Sequence, residues 1–418
     1  MAINLTNILS QVQNRINDSA TSDRDLDKLI KIADRINNSG IQVLTYGSTG
    51  QLPTISDSAY IGTIAYVSSD NVFGDSDGRY YYASGTDSGW RGFKTTQDSA
   101  EALIEAPGGT PAPTSQGYQG DTYGFHSGGY NPGDAPNPGS STPTSVYNII
   151  DRYAFASATN ATDYGDLTAY RRYTSAASSS THGYTAGGAS NLDAVNIIDK
   201  FAFAAAGNAT DVGDQTVARW QLSGTQSPTS GYTAGGYYLG PPSNYVTNIV
   251  DKFPFGSDGN ASDVGDLTLA RQYLTGTSSN DHGYASGGTP TSGKRIDKYA
   301  FASDGNATDV GDTVVEMEYL GGNSPSSPTH GYIVSGHINT FEKFPFASDG
   351  NSTDVADLLQ RTIYSANSNS EAFGFVAGGR DPGSYLNQIQ KFSHTADENA
   401  TDVADITKSS EGGAGQQV

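Results

Sequence analysis

Gly183-Tyr-Thr-Ala-Gly-Gly188, Asn196-Ile-Ile-Asp-Lys-Phe-Ala-Phe203 and Gly207-Asn-Ala-Thr-Asp-Val-Gly-Asp214 are the stretches that decide the fold. They return in the same order, with small changes, through the rest of the chain. Asn160, Asn208, Asn260, Asn306, Asn351 and Asn399 each open an Asn-Ala/Ser-Thr/Ser-Asp turn, at spacings of 48, 52, 46, 45 and 48. A second register gives the same count of six: Gly128-Gly129, Gly187-Gly188, Gly235-Gly236, Gly287-Gly288, Ser335-Gly336 and Gly378-Gly379. A unit of this size cannot bury a hydrophobic face alone, so the copies must pack side by side. Large length changes fall after the glycine pairs, at Tyr130–Ser145, Tyr237–Thr247 and Arg380–Leu386, as surface loops tolerate.

Each unit holds four strand candidates. In the third these are Arg219–Ser223, Gly231–Ala234, Asn248–Phe255 and the stretch around Val264–Leu267. Strict alternation would turn Ile249, Asp251, Phe253 and Phe255 to one side and Val250, Lys252 and Pro254 to the other. The aromatic pair then forms a surface for sandwiching.

Composition narrows the function classes. Apolar residues make up 35% of 418, and 51 glycines accompany abundant Ser, Thr, Asn and Asp. Disordered segments of such polarity are poor in aromatics, whereas here Tyr and Phe recur on a period. Many short strands with glycine-rich turns fit this composition. The absence of cysteine excludes disulfides, thiolate metal sites and cysteine catalysis. The net charge is −21. Such a surface repels nucleic-acid phosphate and anionic lipid, so no nucleic-acid partner and no membrane insertion are expected. No apolar run approaches membrane-span length. Met1-Ala-Ile-Asn-Leu-Thr6 lacks a basic stretch followed by an apolar core, and no signal peptide is expected.

The front of the chain reads differently. Leu5, Ile8, Leu9, Val12 and Ile16 recur at helical spacing over residues 4–18. A second helix is predicted from about Ser22, with Ser22 and Asp25 as a cap, a stripe of Leu26, Leu29, Ile30, Ala33 and Ile36, and Gly40 as its end. Residues 1–40 therefore read as a helical attachment or oligomerisation segment. Residues 41–95 read as a small β module, with strands at Ile41–Tyr46, Ile61–Val67 and Arg79–Ala83. Residues 96–116 read as a linker and 117–418 as the repeat domain.

Four short strands per unit, with a Gly-Gly closing the second, resemble the Kelch repeat. Kelch units open with an Arg after a small residue, as do Ala218-Arg219 and Ala270-Arg271, with Tyr170-Arg171 at the same place. Ile198-Asp-Lys-Phe201 and Ile296-Asp-Lys-Tyr299 match the aromatic strand after the variable loop. Two features depart from the family. Its fourth-strand Trp is replaced by Val212, Val264, Val310, Val355 and Val403, with Tyr164 in the first unit, and the fifth unit reads Glu316-Met-Glu318 where the Arg belongs. The resemblance implies a mainly β fold: a six-bladed Kelch-like β-propeller over 117–418, preceded by the helical segment and the small β module. The repeated wording is also similar to Kelch-like virion proteins of marine tailed phages, especially those infecting cyanobacteria. That likeness implies a virion appendage protein of tail or neck fibre type, made in the host cytoplasm, with other virion proteins as partners.

Candidate chemistry is sparse. His182, His282 and His330 share one repeat position, before Gly-Tyr, where another copy has Ser230; the pattern points to a hydrogen-bonding turn residue. His126, His337 and His394 lack the neighbours of a catalytic triad. Asp258, Asn260, Asp263 and Asp266 crowd one turn. Calcium there is weighed and not favoured, because the spacing is not that of a calcium loop and side-chain turn bonding accounts for the residues. The copper chemistry of a Kelch-type oxidase needs a Cys-linked Tyr, and glycosidase chemistry needs a distinct carboxylate pair, whereas the acids here recur with the repeat. The expectation is a non-enzymatic protein without a cofactor or metal, displaying loops for attachment to a host-surface glycan or protein. Tyr130, Tyr237 and Tyr238 are its candidate receptor residues. The alternatives are a purely structural collar, decoration or fibre-connector protein and, more remotely, a polysaccharide depolymerase. A homo-oligomer is expected through the charge-balanced helices of residues 1–40, a trimer by analogy with symmetric fibres.

Overall fold

The computed structural model describes short strands within residues 43–105, and residues 120–133, 145–157, 159–190, 193–240, 243–290, 293–334 and 336–418. The helices expected within 1–40 lie outside the described residues. The chain divides into two compact units, Met1–Ser115 and Gln116–Val418. The described residues are mainly β, arranged in many small sheets.

The first unit holds one sheet of β1 (Val43–Tyr46), β2 (Ile64–Val67), β3 (Arg79–Ala83), β4 (Trp90–Phe93) and β5 (Leu103–Glu105), in that order. β1 and β2 run parallel, and the remaining pairs are antiparallel. The stretch expected to be a linker, 96–116, thus supplies a strand. Leu103-Ile-Glu105 is too short a signal to stand out beside its Pro/Gly-rich flank, yet β4 offers it a free edge to pair with.

Among the described residues of the second unit each repeat forms one main antiparallel sheet, five of four strands and one of three, and a second three-stranded sheet and two two-stranded ribbons lie beside them. The sheet of the third repeat is typical: Ser223–Gln226, Ser230–Ala234, Ile249–Pro254 and Ser262–Asp266, each pairing with the next. The sheet that includes Tyr123–Ser127, Ile149–Ala154 and Thr162–Asp166 takes its remaining strand from the far end of the chain. Ala414–Gln417 pairs antiparallel with Tyr123–Ser127, in the register Ala414↔Ser127.

Two local expectations are corrected. Arg219–Ser223 is not the first strand of its sheet. Arg219–Trp220 pairs instead with Tyr237–Tyr238, and Ser223-Gly-Thr-Gln226 is the strand. That strand carries no β-branched or aromatic run because first strands of neighbouring sheets lie against one another. A Cβ on Gly224 would overlap the Ala176 carbonyl, and one on Gly276 would overlap the Gly224 carbonyl. Nor does strict alternation hold along Asn248–Phe255. A β-bulge at Val250/Asp251 buries both of these residues and leaves Ile249 half-buried. The same irregularity sits at the matching place in all six main repeat sheets.

The core lies between sheets and is aromatic. A pair of rings two residues apart in each sheet, Phe-x-Phe, Tyr-x-Phe or Phe392-x-His394, clamps the Tyr or Phe of the sheet before it. Tyr184 meets Phe253 at 5.6 Å and Phe255 at 4.7 Å, and Tyr232 meets Tyr299 at 6.0 Å and Phe301 at 4.8 Å between ring centroids. Phe375, in the last sheet, meets Tyr153 at 6.1 Å and Phe155 at 4.5 Å in the sheet completed by the C-terminal strand. Each such pair contributes about 0.5–1.5 kcal/mol beyond area burial. The glycine of His/Ser-Gly-Tyr is required by this clamp: a Cβ on Gly231 would strike the ring of Phe253.

The recurring asparagine is an intersheet hook. Asn260 Oδ1 accepts the Asp214 amide at 3.0 Å, and Asn306 accepts that of Asp266 at 3.1 Å. The series ends with Asn160 accepting the amide of Asp405 at 3.1 Å, from the last repeat to the first.

Candidate functional site

Between the fourth strand of one sheet and the first strand of the next, the chain reads Leu-Thr-x-x-Arg-x-Tyr or a variant of it. Three parts of this connection act in turn. The Thr caps the buried acid of the next sheet: Thr168 donates to Asp199 through its amide at 2.9 Å and its hydroxyl at 2.6 Å. The Arg then reaches the same acid. Arg171, Arg219 and Arg271 bind Asp199, Asp251 and Asp297 at 2.5, 2.9 and 2.8 Å, and each pair is fully buried. Their Nη groups also donate to carbonyls, as Arg219 Nη1 does to Gly235 at 3.0 Å and Ile249 at 2.8 Å, while the Nε of each of the three is buried without a hydrogen-bond partner. Burial pushes these guanidinium groups below the ordinary arginine value, and the acid beside each opposes that shift.

Two residues after the Arg position the backbone turns left-handed. Tyr173, Gln221, Tyr273, Tyr319 and Tyr364 have φ of 54°, 57°, 60°, 60° and 55°, and Gly412 occupies the sixth place at 74°. A non-glycine residue there costs on the order of 1 kcal/mol. The cost is offset by hydrogen bonds from copy to copy: Tyr173 N to Gly412 O at 2.6 Å, Gln221 N to Tyr173 O at 3.0 Å, Tyr273 N to Gln221 O at 2.9 Å, Tyr364 N to Tyr319 O at 3.0 Å and Gly412 N to Tyr364 O at 2.7 Å. Leu320 N completes the series on Tyr273 O at 3.3 Å.

This turn gathers the tyrosine rings. Tyr173 and Tyr364 lie 4.9 Å apart, Tyr273 and Tyr319 5.2 Å, and Tyr273 and Tyr364 5.5 Å. Trp220 packs on Tyr173 at 5.4 Å and carries the surface on to Tyr237 at 6.2 Å. On the other side the Arg172 guanidinium covers Tyr173 at 5.1 Å and Tyr130 at 4.1 Å, and Tyr130 meets Tyr385 edge-on at 6.1 Å. Of the three candidate residues, Tyr130 and Tyr237 thus join one continuous aromatic surface. Tyr238 stacks at 4.8 Å on Tyr245 of its own loop. Tyr237 and Tyr238 are also a paired strand, so they brace the loop as well as display it.

Glu411 lies beneath this surface. Its Oε1 accepts the Tyr173 hydroxyl at 2.7 Å, and its backbone exchanges two hydrogen bonds with Tyr130. Burial raises its carboxyl above the ordinary glutamate value, against the pull of the Tyr173 bond and of Arg380 and Arg172. Below the tyrosines, the void lined by Leu222, Leu320, Gly322 and Gly413 is barely large enough for one water. Tyr364 is buried within the cluster, and the half-buried and exposed rings around it, with the arginines, are what the arrangement offers for stacking and charge-assisted hydrogen bonds.

The tyrosines at 173, 273, 319 and 364 were not among the sequence candidates. A signal was present: the positions 173, 221, 273, 319, 364 and 412 repeat at the asparagine spacings, 48, 52, 46, 45 and 48. Only the turn geometry brings their rings together.

The other expectations have these placements. His182 and His330 bond their Nδ1 to Thr181 and Thr329 at 2.8 Å, and their amides take Ser179 and Ser327 hydroxyls at 3.0 Å. In the acidic turns Asp258 pairs with Lys200, and Asp263 accepts the Gly265 amide at 3.1 Å. Among the described residues no group of three or more His, Asp or Glu converges as metal ligands. No family model and no curated protein matches the chain.

Proposed function

We propose that the six sheets of the second unit are the blades of a closed Kelch-like β-propeller, and that the chain is a non-enzymatic phage virion appendage protein which uses this propeller to attach to a host surface. Three features support the ring. The aromatic clamps and asparagine hooks both pass from the last repeat to the first, and the C-terminal strand completes the first sheet. The observation that carries the binding role is the aromatic surface running from Tyr385 and Tyr130 through Tyr173 to Trp220 and Tyr237. Aromatic faces with flanking arginines suit sugar rings or a protein loop. The virion context rests on the sequence resemblance, and residues 1–40 are the proposed assembly segment.

Purified protein should compete with phage for adsorption to host cells. Replacing Tyr237 and Tyr238 with Ala should weaken that competition roughly tenfold, since stacking contributes on the order of 1 kcal/mol per ring. Because the two residues also pair with Arg219–Trp220, a melting curve must accompany the assay. A purely structural collar or connector is the second reading, favoured by the packing of the tyrosines on one another. Wild-type protein that never competes establishes that reading instead.

A further inference from the structure

We infer that the edge of the aromatic surface formed by Tyr130, Arg172, Arg380 and Tyr385 binds a carboxylate-bearing sugar; this rests on the attachment reading and narrows its ligand.

The repeats otherwise place Tyr130, Ala189, Tyr237, Thr289 and His337 directly after the glycine pair, so Arg380 is the one arginine at that position. Beside it stands Glu411, 1% exposed, whose Oε2 faces Arg380 Nε at 3.5 Å. That contact engages the Nε side of the guanidinium, and the Arg380 side chain remains 40% exposed. The same guanidinium lies over the Tyr385 ring at 5.9 Å. Arg172 is set in a parallel way, with its guanidinium 4.1 Å from the centre of Tyr130 and 5.1 Å from that of Tyr173. Tyr130 and Tyr385 join the two halves edge to face.

Each element of this patch has a chemical consequence. A guanidinium held over a tyrosine ring has lost its side-chain freedom before any ligand arrives, so a bidentate carboxylate contact is entropically cheap. The tyrosine rings beside it offer apolar faces to the C–H side of a pyranose. Arg380 and Arg172 bring two positive charges to one place on a chain of net charge −21. A dense polyanion would be repelled by the surrounding acid, whereas a sugar carrying one carboxylate meets only the patch. Glu411 acts as a positioning residue that orients Arg380 from below.

The test is saturation-transfer NMR on the full chain, with methyl galacturonide, methyl galactoside and inorganic phosphate as probes. The galacturonide should bind at least about tenfold more tightly than the galactoside, as one charge-assisted bidentate contact provides. Arg380→Gln and Arg172→Gln should each abolish that preference, and Arg380→Lys should keep part of it. Thermal melting separates lost binding from lost folding, and if Arg172→Gln unfolds, the partly exposed Arg380 decides the question. Equal affinity for the two sugars, phosphate binding as tightly as the galacturonide, or unchanged preference in folded Arg380→Gln would each overturn the inference. Failure here with adsorption intact overturns the ligand class and leaves the attachment reading standing. Galacturonide binding without any adsorption to cells leaves the site and removes the attachment role.

Discussion

At the scale of single residues, buried charge decides the outcome. Arg219 and Asp251 are both fully buried; Thr216 donates to the acid, and the Arg219 Nη groups donate to carbonyl and hydroxyl oxygens such as Gly235 O, Ile249 O and Thr233 Oγ1. Removing one partner strands the other charge, so Arg219→Thr should cost about 3–5 kcal/mol in urea unfolding. The protein itself indicates the compensation. In the last sheet Thr362 stands at the Arg position and Gln390 at the acid position, 3.4 Å apart. The double variant Arg219→Thr, Asp251→Gln should therefore be clearly more stable than Arg219→Thr alone. Histidine gives a pH signature. Burial lowers His126 from 6.5 to about 4, and His394 likewise to about 4. Between these values the unfolded chain binds the proton and the folded chain does not, so stability falls as pH drops from 6.5 toward 4. The buried His126 can account for about 3 kcal/mol over that window, and the half-buried His394 for less. Burial raises the Asp151 carboxyl, and that group works in the opposite direction. His394→Phe, which restores the residue type found at Phe203, Phe255, Phe301 and Phe346, should flatten the acid limb measured by melting temperature against pH.

At the scale of elements, the first strands of the sheets are limited by space. Their Ser-Ala-Ala-Ser, Ser-Gly-Thr-Gln and Thr-Gly-Thr-Ser sequences carry little β propensity, and the strands form because neighbouring strands surround them. A methyl group on Gly224 or Gly276 would overlap a facing carbonyl, and backbone has nowhere to move in so close a packing. Gly224→Ala and Gly276→Ala should each lower stability by several kcal/mol or abolish soluble expression. Gly256→Ala is the matched control, since no atom lies within 4 Å of its added Cβ. It should change the melting temperature by no more than about 2 °C, the size of a surface substitution in a chain of this length. Equal effects at all three sites would show that glycine entropy, and not space, is the cause.

At the scale of the molecule, stability depends on the join between the two ends of the repeat array. Ala414–Gln417 supplies a strand to the first sheet, Thr407 caps Asp151 through its amide and hydroxyl at 2.8 Å, and Gln416 Nε2 donates to Tyr184 O at 3.0 Å and Thr185 Oγ1 at 2.9 Å. Deleting residues 406–418 removes all of these and leaves Tyr123–Ser127 as an unpaired edge. The melting temperature should fall by more than about 5 °C, with added aggregation, because each kcal/mol lost moves it by roughly 2–4 °C in a domain of this size. An unchanged melting temperature would mean that the sheets are stable without the join, as in an open array.

The sequence by itself determined the repeat, its count and its strand-rich character, because these follow from periodic Tyr, Phe, Asn and Gly that any reader can align. It also placed the variable loops, since length changes are tolerated only where backbone faces solvent. Three things were decided by tertiary structure. The bulge at Val250/Asp251 turns Asp251 inward, and it becomes legible only once Arg219 is seen from the neighbouring strand. The small-residue strands are set by how closely sheets approach, a distance that no local propensity encodes. The aromatic surface was divided, in the sequence, between loop residues such as Tyr130 and Tyr237 and repeat residues such as Tyr173 and Tyr364. Their union depends on a left-handed turn repeated from copy to copy, and rings tens of residues apart in the chain meet only because those turns hydrogen-bond to one another.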